Sequence, residues 1–347
     1  MSGLAPAGEA ASPLVGSSPV AAGGASVARR RGDRLVGSSR ALQRVQEQIS
    51  VAARGRFHVF VSAEEGAEKE LVARLVHEAS EWTTGGFFAL DATLVPQTLL
   101  ARELFGSERG ALPSLPTESH GAFARHAGGT VWIDHVEALP KDLQHALALA
   151  LGDGRYHRIG GGAALPLECR VIGSSAESLD ELLQSGQLDP ELCERLRLLE
   201  IRIPALRERR DDILPLAARA LALASAEIER ELGRGPAARG FTREALERLR
   251  AYSWPGNERE LLERVRAALR LARGQEIEAE DLSLGGGSGD ELPSFREAKR
   301  AFERDYVARV LRLCSGNISR AARIAKKDRK DFYDVLRRNQ INPDDYR

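Results

Sequence analysis

The stretch from residue 57 to residue 77 constrains this chain more than any other. A short apolar run at 57–61 ends in small residues. Lys69 follows, and then Leu71, Val72, Leu75 and Val76 recur at helical spacing. A strand, a tight loop and a helix opening on a lysine make the layout of a phosphate-binding loop. A working loop reads G-x-x-x-x-G-K, because bare backbone must approach the phosphates and aim N–H groups at them. Here the first glycine position is Ala63 and the second is Glu68, although Lys69 is kept. Glu65 and Glu68 bring negative charge to the place where phosphates would sit. Two unit charges about 4 Å apart cost roughly 4 kcal/mol at an effective dielectric near 20. That is about three decades of affinity for each badly placed carboxylate.

The flanking sequence alternates between two periodicities. Residues 39–53, 69–80 and 140–151 read as helices; 58–62, 87–91, 129–134, 170–174 and 199–203 read as strands. Such alternation predicts an α/β domain with a parallel sheet and helices on both faces. From residue 209 to about 284 only helical periodicity remains, and 285–289 is a Gly/Ser linker. Three further helical segments are expected after it. Residues 1–34 are mostly Ala, Gly, Ser and Pro, and are expected to be disordered, with no sensor domain in front.

Length and composition set outer limits. A chain of 347 residues is expected to hold two or three domains. No apolar run reaches about 18 residues, so no membrane span is expected, and no secretory signal is read at the N-terminus. Cys169, Cys193 and Cys314 are scattered without metal or redox spacing. The expectation is a cytoplasmic protein with buried structural thiols and no metal site. Net charge is zero but uneven: residues 294–347 hold 15 basic and 8 acidic residues, the remainder 35 and 42. A small basic terminal domain on an acidic body is the footprint of a nucleic-acid binder.

Several motifs occur in a fixed order. Lys69-Glu70-Leu71-Val72-Ala73-Arg74 follows the loop, then Glu103-Leu104-Phe105-Gly106, then Gly128-Gly129-Thr130-Val131-Trp132-Ile133-Asp134. Arg202-Ile203-Pro204-Ala205-Leu206-Arg207-Glu208-Arg209-Arg210-Asp211-Asp212-Ile213 and Trp254-Pro255-Gly256-Asn257-Glu258-Arg259-Glu260-Leu261 come later. In this order they resemble the sigma-54-dependent transcription activators, a bacterial family built on a ring-forming AAA+ ATPase core. The resemblance covers about residues 35–347. It implies an α/β subdomain at 35–206, a helical lid at 207–284, a linker at 285–293 and a small all-α Fis-type helix-turn-helix domain at 294–347.

Against that family the catalytic positions are altered. The resemblance makes Asp134 the magnesium-linked carboxylate, and puts His135 where the family polarises water with Glu. Ala176 stands at the sensor Asn, and Asp189 replaces one of two arginines that reach a neighbour's nucleotide, a group worth about 10³-fold or more in rate. Arg195, the other arginine, and Arg259, the lid sensor, are kept. The expectation is no useful ATP hydrolysis, with at most weak ATP and magnesium binding through Gly66, Lys69, Glu70, Asp134 and Arg259.

The family's sigma-contacting loop, G-A-F-T-G-A, here reads Gly110-Ala111-Leu112-Pro113-Ser114-Leu115. Proline fixes φ and removes a donor, so sigma contact is not expected. The terminal segment 316–325 resembles the first helix of the Fis-type motif, with Ser319 as a candidate cap. A recognition helix is expected at 329–339 with Phe332, Val335 and Leu336 facing inward. Arg329, Lys330 and Tyr333 are then candidates for base edges or phosphates, and Lys326, Lys327, Arg337 and Arg338 for phosphates. The helix before it, 295–313, is the expected dimer element.

The sequence thus reads as a DNA-binding regulator whose AAA+ module assembles or binds partners without running as a motor. Its expected partners are DNA, copies of itself as a dimer or ring, and RNA polymerase or an active family member. Two alternatives stay open: an ATP-driven activator with an unusual site, and a non-catalytic scaffold that tunes an active family member.

Overall fold

The computed structural model describes residues 34–284, apart from Arg56, 112–116 and Arg234. It also describes 306–307, 310–311, 314, 317–325, 327–328, 332, 335–336 and 341. In chain order the first region holds α1 (Arg40–Arg54), β1 (Val59–Ser62), α2 (Lys69–Glu78), β2 (Phe87–Asp91), α3 (Gln97–Phe105) and α4 (Gly121–Arg125). Then come β3 (Thr130–Asp134), α5 (Lys141–Asp153), a hairpin of β4 (Arg155–His157) and β5 (Ala164–Pro166), and β6 (Arg170–Ser175). α6 (Leu179–Gln184), α7 (Pro190–Leu196) and β7 (Glu200–Arg202) complete it.

β2, β3, β6, β1 and β7 form one parallel sheet in that spatial order. Its three central strands, β3, β6 and β1, are buried on both faces, as a parallel sheet covered by helices requires. Successive side chains alternate sides. Val59, Val61, Trp132, Ile172 and Ile201 pack with Val45 and Ile49 of α1 and Val72 and Val76 of α2. Phe60, Val131, Ile133 and Val171 pack on the other face with Leu100, Leu104, Phe123, Leu147, Leu192 and Leu196. This is the expected α/β layer structure. It brings the C-terminal ends of β1, β2, β3 and β6 to one rim, where ligands bind in open α/β sheets.

The helical subdomain follows: α8 (Ile213–Leu232), β8 (Gly240–Phe241), α9 (Arg243–Ala251), α10 (Asn257–Leu271) and β9 (Glu276–Ile277). Leu216, Leu221 and Ile228 of α8 share one core with Leu249 of α9 and Leu261 and Val265 of α10. The expectation of helices alone is corrected by β8 and β9, which pair in parallel through Gly240↔Glu276 and Phe241↔Ile277. Two residues per strand are too few for a period-two signal. Among the described residues no helix is long and apolar enough to cross a membrane.

The two long sequence motifs serve as fasteners. The buried Asp212 carboxylate accepts from the Ser38 amide at 2.8 Å, the Ser39 amide at 2.9 Å and the Ser39 hydroxyl at 2.6 Å, so it fixes the start of α1. Arg209 and Glu258, both buried, form an ion pair that joins one motif to the other. Trp254 is fully buried and donates its indole N–H to the Leu249 carbonyl at 2.9 Å.

Residues 288–347 form a separate compact unit. Its helix Ile318–Ile324 is capped by Asn317, whose side chain accepts from the Arg320 amide at 3.1 Å. Asn317, not the expected Ser319, is therefore the cap: the helix starts earlier, and Ser319 lies in its first turn. Phe332, Val335 and Leu336 are buried, as expected, with Val307, Val310, Leu311, Cys314, Ala321 and Ala322. Most of the expected dimer helix, 295–313, lies outside the described residues.

Candidate functional site

β1 ends at Ser62, and residues 63–68 loop over to α2. In this loop two amides are used internally. The Ala67 N–H donates to the Glu64 carbonyl at 3.1 Å, and the Lys69 N–H donates to the Ala67 carbonyl at 2.8 Å. Gly66 has φ +78°, and its carbonyl accepts from the Arg259 amide at 3.0 Å. A Cβ on Gly66 would stand 2.1 Å from the Gly256 carbonyl oxygen, so a glycine is required where the lid meets the loop. Asn257, fully buried at the start of α10, completes that junction. Its amide donates to the Glu65 carbonyl at 3.0 Å and its oxygen accepts from the Leu206 amide at 2.8 Å.

Each acidic side chain of the loop has a resident cation. Glu64 forms a fork with Arg207, at 2.7 Å and 2.5 Å. Glu68 lies 3.7 Å from Arg219 of α8. Glu65 lies 3.7 Å from Lys69 Nζ and 3.1 Å from His135 Nε2. The Arg207 hydrogen bond is the largest influence on Glu64 and holds its carboxyl below the usual range. For Glu65, burial works upward, but Lys69 and His135 together bring its pKa below the usual value. The charges that the sequence places in this loop are therefore answered within the fold.

The rim of β3 supplies the rest. Lys69 Nζ, buried, lies 2.9 Å from Asp134 Oδ1. That oxygen also accepts from Ser174 Oγ at 2.7 Å, and Ser174 in turn accepts from the Trp132 indole N–H at 2.9 Å. His135 takes a left-handed backbone conformation, φ 53°, which turns its ring back across the rim. Its Nδ1 is 3.1 Å from Asp91 Oδ1 and 3.7 Å from Asp134 Oδ2. Burial is the largest single influence on His135 and works to lower its pKa, yet Asp134, Glu65 and Asp91 outweigh it and raise the pKa. Two residues on, burial pushes the Glu137 carboxyl upward.

The structure thus joins Gly66, Lys69, Asp134, His135 and the Arg259 backbone at one corner. Glu70 pairs with Arg74 at 2.8 Å. Ala176 is exposed and lines a cleft with Ser62, Ala63, Glu64, Ser178 and Arg202. Asp189 and Arg195 lie on α7 instead. Asp189 caps that helix by accepting from the Glu191 amide at 2.9 Å and the Leu192 amide at 3.1 Å. Arg195 pairs with Glu191 at 3.3 Å. Sequence reasoning missed Asp91, Arg207, Arg219 and Asn257. Asp91 had a usable signal: it ends the strand beside Asp134 and is its direct register partner.

The loop expected to meet the sigma factor is closed at its base by paired Ser107 and Ser119 backbone hydrogen bonds of 2.9 Å. Its altered tip, Leu112, Pro113 and Ser114, lies outside the described residues. So do Lys326, Arg329, Lys330, Tyr333, Arg337 and Arg338; Lys327 is described and exposed.

Residues 35–202 match the model of the Sigma-54 interaction domain, and 207–286 that of the AAA+ ATPase lid domain. The chain is 31% identical over 314 residues to the transcriptional regulatory protein GlrR of Escherichia coli K12, covering 90% of this chain and 69% of GlrR. It belongs to the sigma-54-dependent transcriptional regulator family. The family's AAA+ fold is the one described above. The DNA-binding transcriptional regulator NtrC of Escherichia coli K12 is 35% identical over 248 residues, 72% of this chain and 52% of NtrC. Among solved structures, NtrX of Brucella abortus in complex with ATP superposes with a TM-score of 0.64 at 28% identity, covering 89% of this chain and 70% of NtrX. NtrX with ADP gives 0.63 at 28%.

Proposed function

We propose that this chain is a DNA-binding transcription regulator of the sigma-54-dependent family whose AAA+ module does not run as an ATP-driven motor. The carrying observation is that the phosphate-loop cations face carboxylates of the chain itself. Lys69 stands between Asp134 and Glu65, and Arg207 and Arg219 stand on Glu64 and Glu68. A magnesium-bound triphosphate does not fit this loop. Glu68 holds the place of the second glycine, the Ala67 and Lys69 amides donate within the loop, and the cations that phosphate oxygens would need are engaged by the loop's own carboxylates. NtrX, by contrast, has been solved with ATP and with ADP.

In this reading the module at 35–284 is a scaffold that self-associates, and 294–347 is a helix-turn-helix domain on DNA. The basic balance of that segment and the buried set Phe332, Val335 and Leu336 support the second part. So does NtrC's description as a DNA-binding regulator. Arg329, Lys330 and Tyr333 are assigned to base edges or phosphates, and Lys326, Lys327, Arg337 and Arg338 to phosphates. The changed loop tip argues against sigma contact.

Binding of the full chain to DNA, with and without magnesium ATP and at several salt concentrations, tests the reading. A log–log salt slope near −0.9 per phosphate contact is expected, unchanged by ATP. Arg329→Ala with Lys330→Ala should weaken binding. Affinity that changes with ATP, or no salt-dependent binding, would overturn it.

A further inference from the structure

The rim of β2 and β3 holds a second chemistry that phosphate binding does not use. Asp91 and Asp134 end neighbouring strands in direct register. His135 follows at once, and its left-handed backbone points Nδ1 between the two carboxylates, 3.1 Å from Asp91 Oδ1 and 3.7 Å from Asp134 Oδ2. One donor atom from each of the three lies within 4.8 Å of the others. Bonds of about 2.0–2.2 Å in tetrahedral array leave ligand atoms roughly 3.4 Å apart. The two separations from Nδ1, 3.1 Å to Asp91 Oδ1 and 3.7 Å to Asp134 Oδ2, bracket that spacing.

We propose that Asp91, Asp134 and His135 bind a divalent transition-metal ion of the zinc, cobalt and nickel class without any nucleotide. The surroundings are those of a braced site. Metal-ligating histidines commonly give their other ring N–H to a carboxylate; here His135 Nε2 stands 3.1 Å from Glu65 Oε1. Thr93 donates its amide at 2.9 Å and its hydroxyl at 2.6 Å to Asp91 Oδ1. Ser174 holds Asp134 Oδ1, which leaves Oδ2 facing the histidine.

Charge favours a dication. Asp91, Asp134 and Glu65 against Lys69 leave two negative charges in excess when the imidazole is neutral, the form that ligates. Lys69 supplies an independent pointer. Its ammonium is only 5% exposed and pairs with Asp134, yet it has no acceptor in hydrogen-bonding geometry. Three protein ligands leave a coordination position for water; the metal acidifies that water, and its hydroxide form would give that ammonium an acceptor. An imidazole nitrogen selects zinc, cobalt or nickel over magnesium, which prefers oxygen ligands and keeps its waters.

The test uses the tag-free full chain, stripped with chelator and free of nucleotide. Zinc is titrated calorimetrically, and cobalt is followed by its visible absorption. One ion per chain is expected, with a cobalt spectrum showing nitrogen ligation. Millimolar magnesium should not displace it. His135→Gln and Asp91→Asn should each weaken zinc at least tenfold, and Glu65→Gln should weaken it about 10–100-fold by loosening the ring. Unfolding curves of the variants separate lost binding from lost fold, and the wild-type cobalt spectrum stands without any variant. Absence of binding to the wild type would overturn the proposal. So would zinc binding that survives in folded His135→Gln and Asp91→Asn, or equal competition by magnesium. ATP turnover, were it found, would overturn the motor-free reading and leave the outcome of this titration unchanged.

Discussion

Replacing Asn257 by Ala should detach the lid from the phosphate loop at a calculable cost. Asn257 is fully buried with φ 46°. Its oxygen is the acceptor for the Leu206 amide at 2.8 Å, and its amide donates to the Glu65 carbonyl at 3.0 Å. Alanine leaves the Leu206 N–H buried and unmet, at about 1–3 kcal/mol, and loses the second bond, at about 0.5–1.5 kcal/mol. A left-handed alanine adds roughly 1 kcal/mol, since asparagine tolerates that region better. The sum is about 2.5–5.5 kcal/mol. Asn257→Asp keeps the acceptor and the backbone tolerance but buries a carboxylate oxygen against the Glu65 carbonyl and the Glu64 carboxylate, so near neutrality it should be at least as destabilised as alanine. Urea unfolding at pH 7 with a common slope reads both. An alanine variant within about 0.5 kcal/mol of wild type, the scatter of neutral surface changes, would refute the reasoning. So would an aspartate variant as stable as wild type.

Three further outcomes follow from single contacts. Asp189→Ala removes the α7 cap and should cost about 1 kcal/mol of unfolding free energy, whereas Asp189→Ser should restore most of it. Glu64, held below its ordinary pKa of 4.5 mainly by the Arg207 hydrogen bond, contributes stability that is present above the unfolded value and lost as pH falls through the lower folded value. Both side chains are 42% exposed, so the wild type should exceed Arg207→Gln by at most about 1 kcal/mol near neutrality. That gap should shrink on acidification, and a gap that widens in acid would contradict the assignment. Cys169, Cys193 and Cys314 are buried, and burial lifts the Cys169 thiol to about 12; a thiol reagent at pH 8 should react with none of them until urea unfolds the chain.

Where the sequence was legible, a short-range rule was at work. β1, α2 and β3 could be read because apolar residues alternate or recur within a few positions, and Trp132 between Val131 and Ile133 shows the two faces of β3 directly. The cores of both units follow from the same periodicity. What escaped is long-range or too short to carry a period. Arg207 meets Glu64 across 143 positions and Asp212 meets Ser39 across 173, and no local pattern pairs them. β8 and β9 are two residues each. The choice of Asn317 over Ser319 rests on where the helix begins, because both residue types cap well. The candidate site was half legible. Lys69, Asp134 and His135 stood out by motif, and the acidic loop was visible. That each carboxylate carries its own cation needed the fold, as did Asp91 beside His135.

ATP turnover by the purified full chain, followed over a range of protein concentrations that allows rings to form and with Lys69→Ala as the blank, tests the central claim most directly. The account predicts a rate no higher than the blank at every concentration. Turnover that rises with protein concentration and vanishes in Lys69→Ala would contradict it.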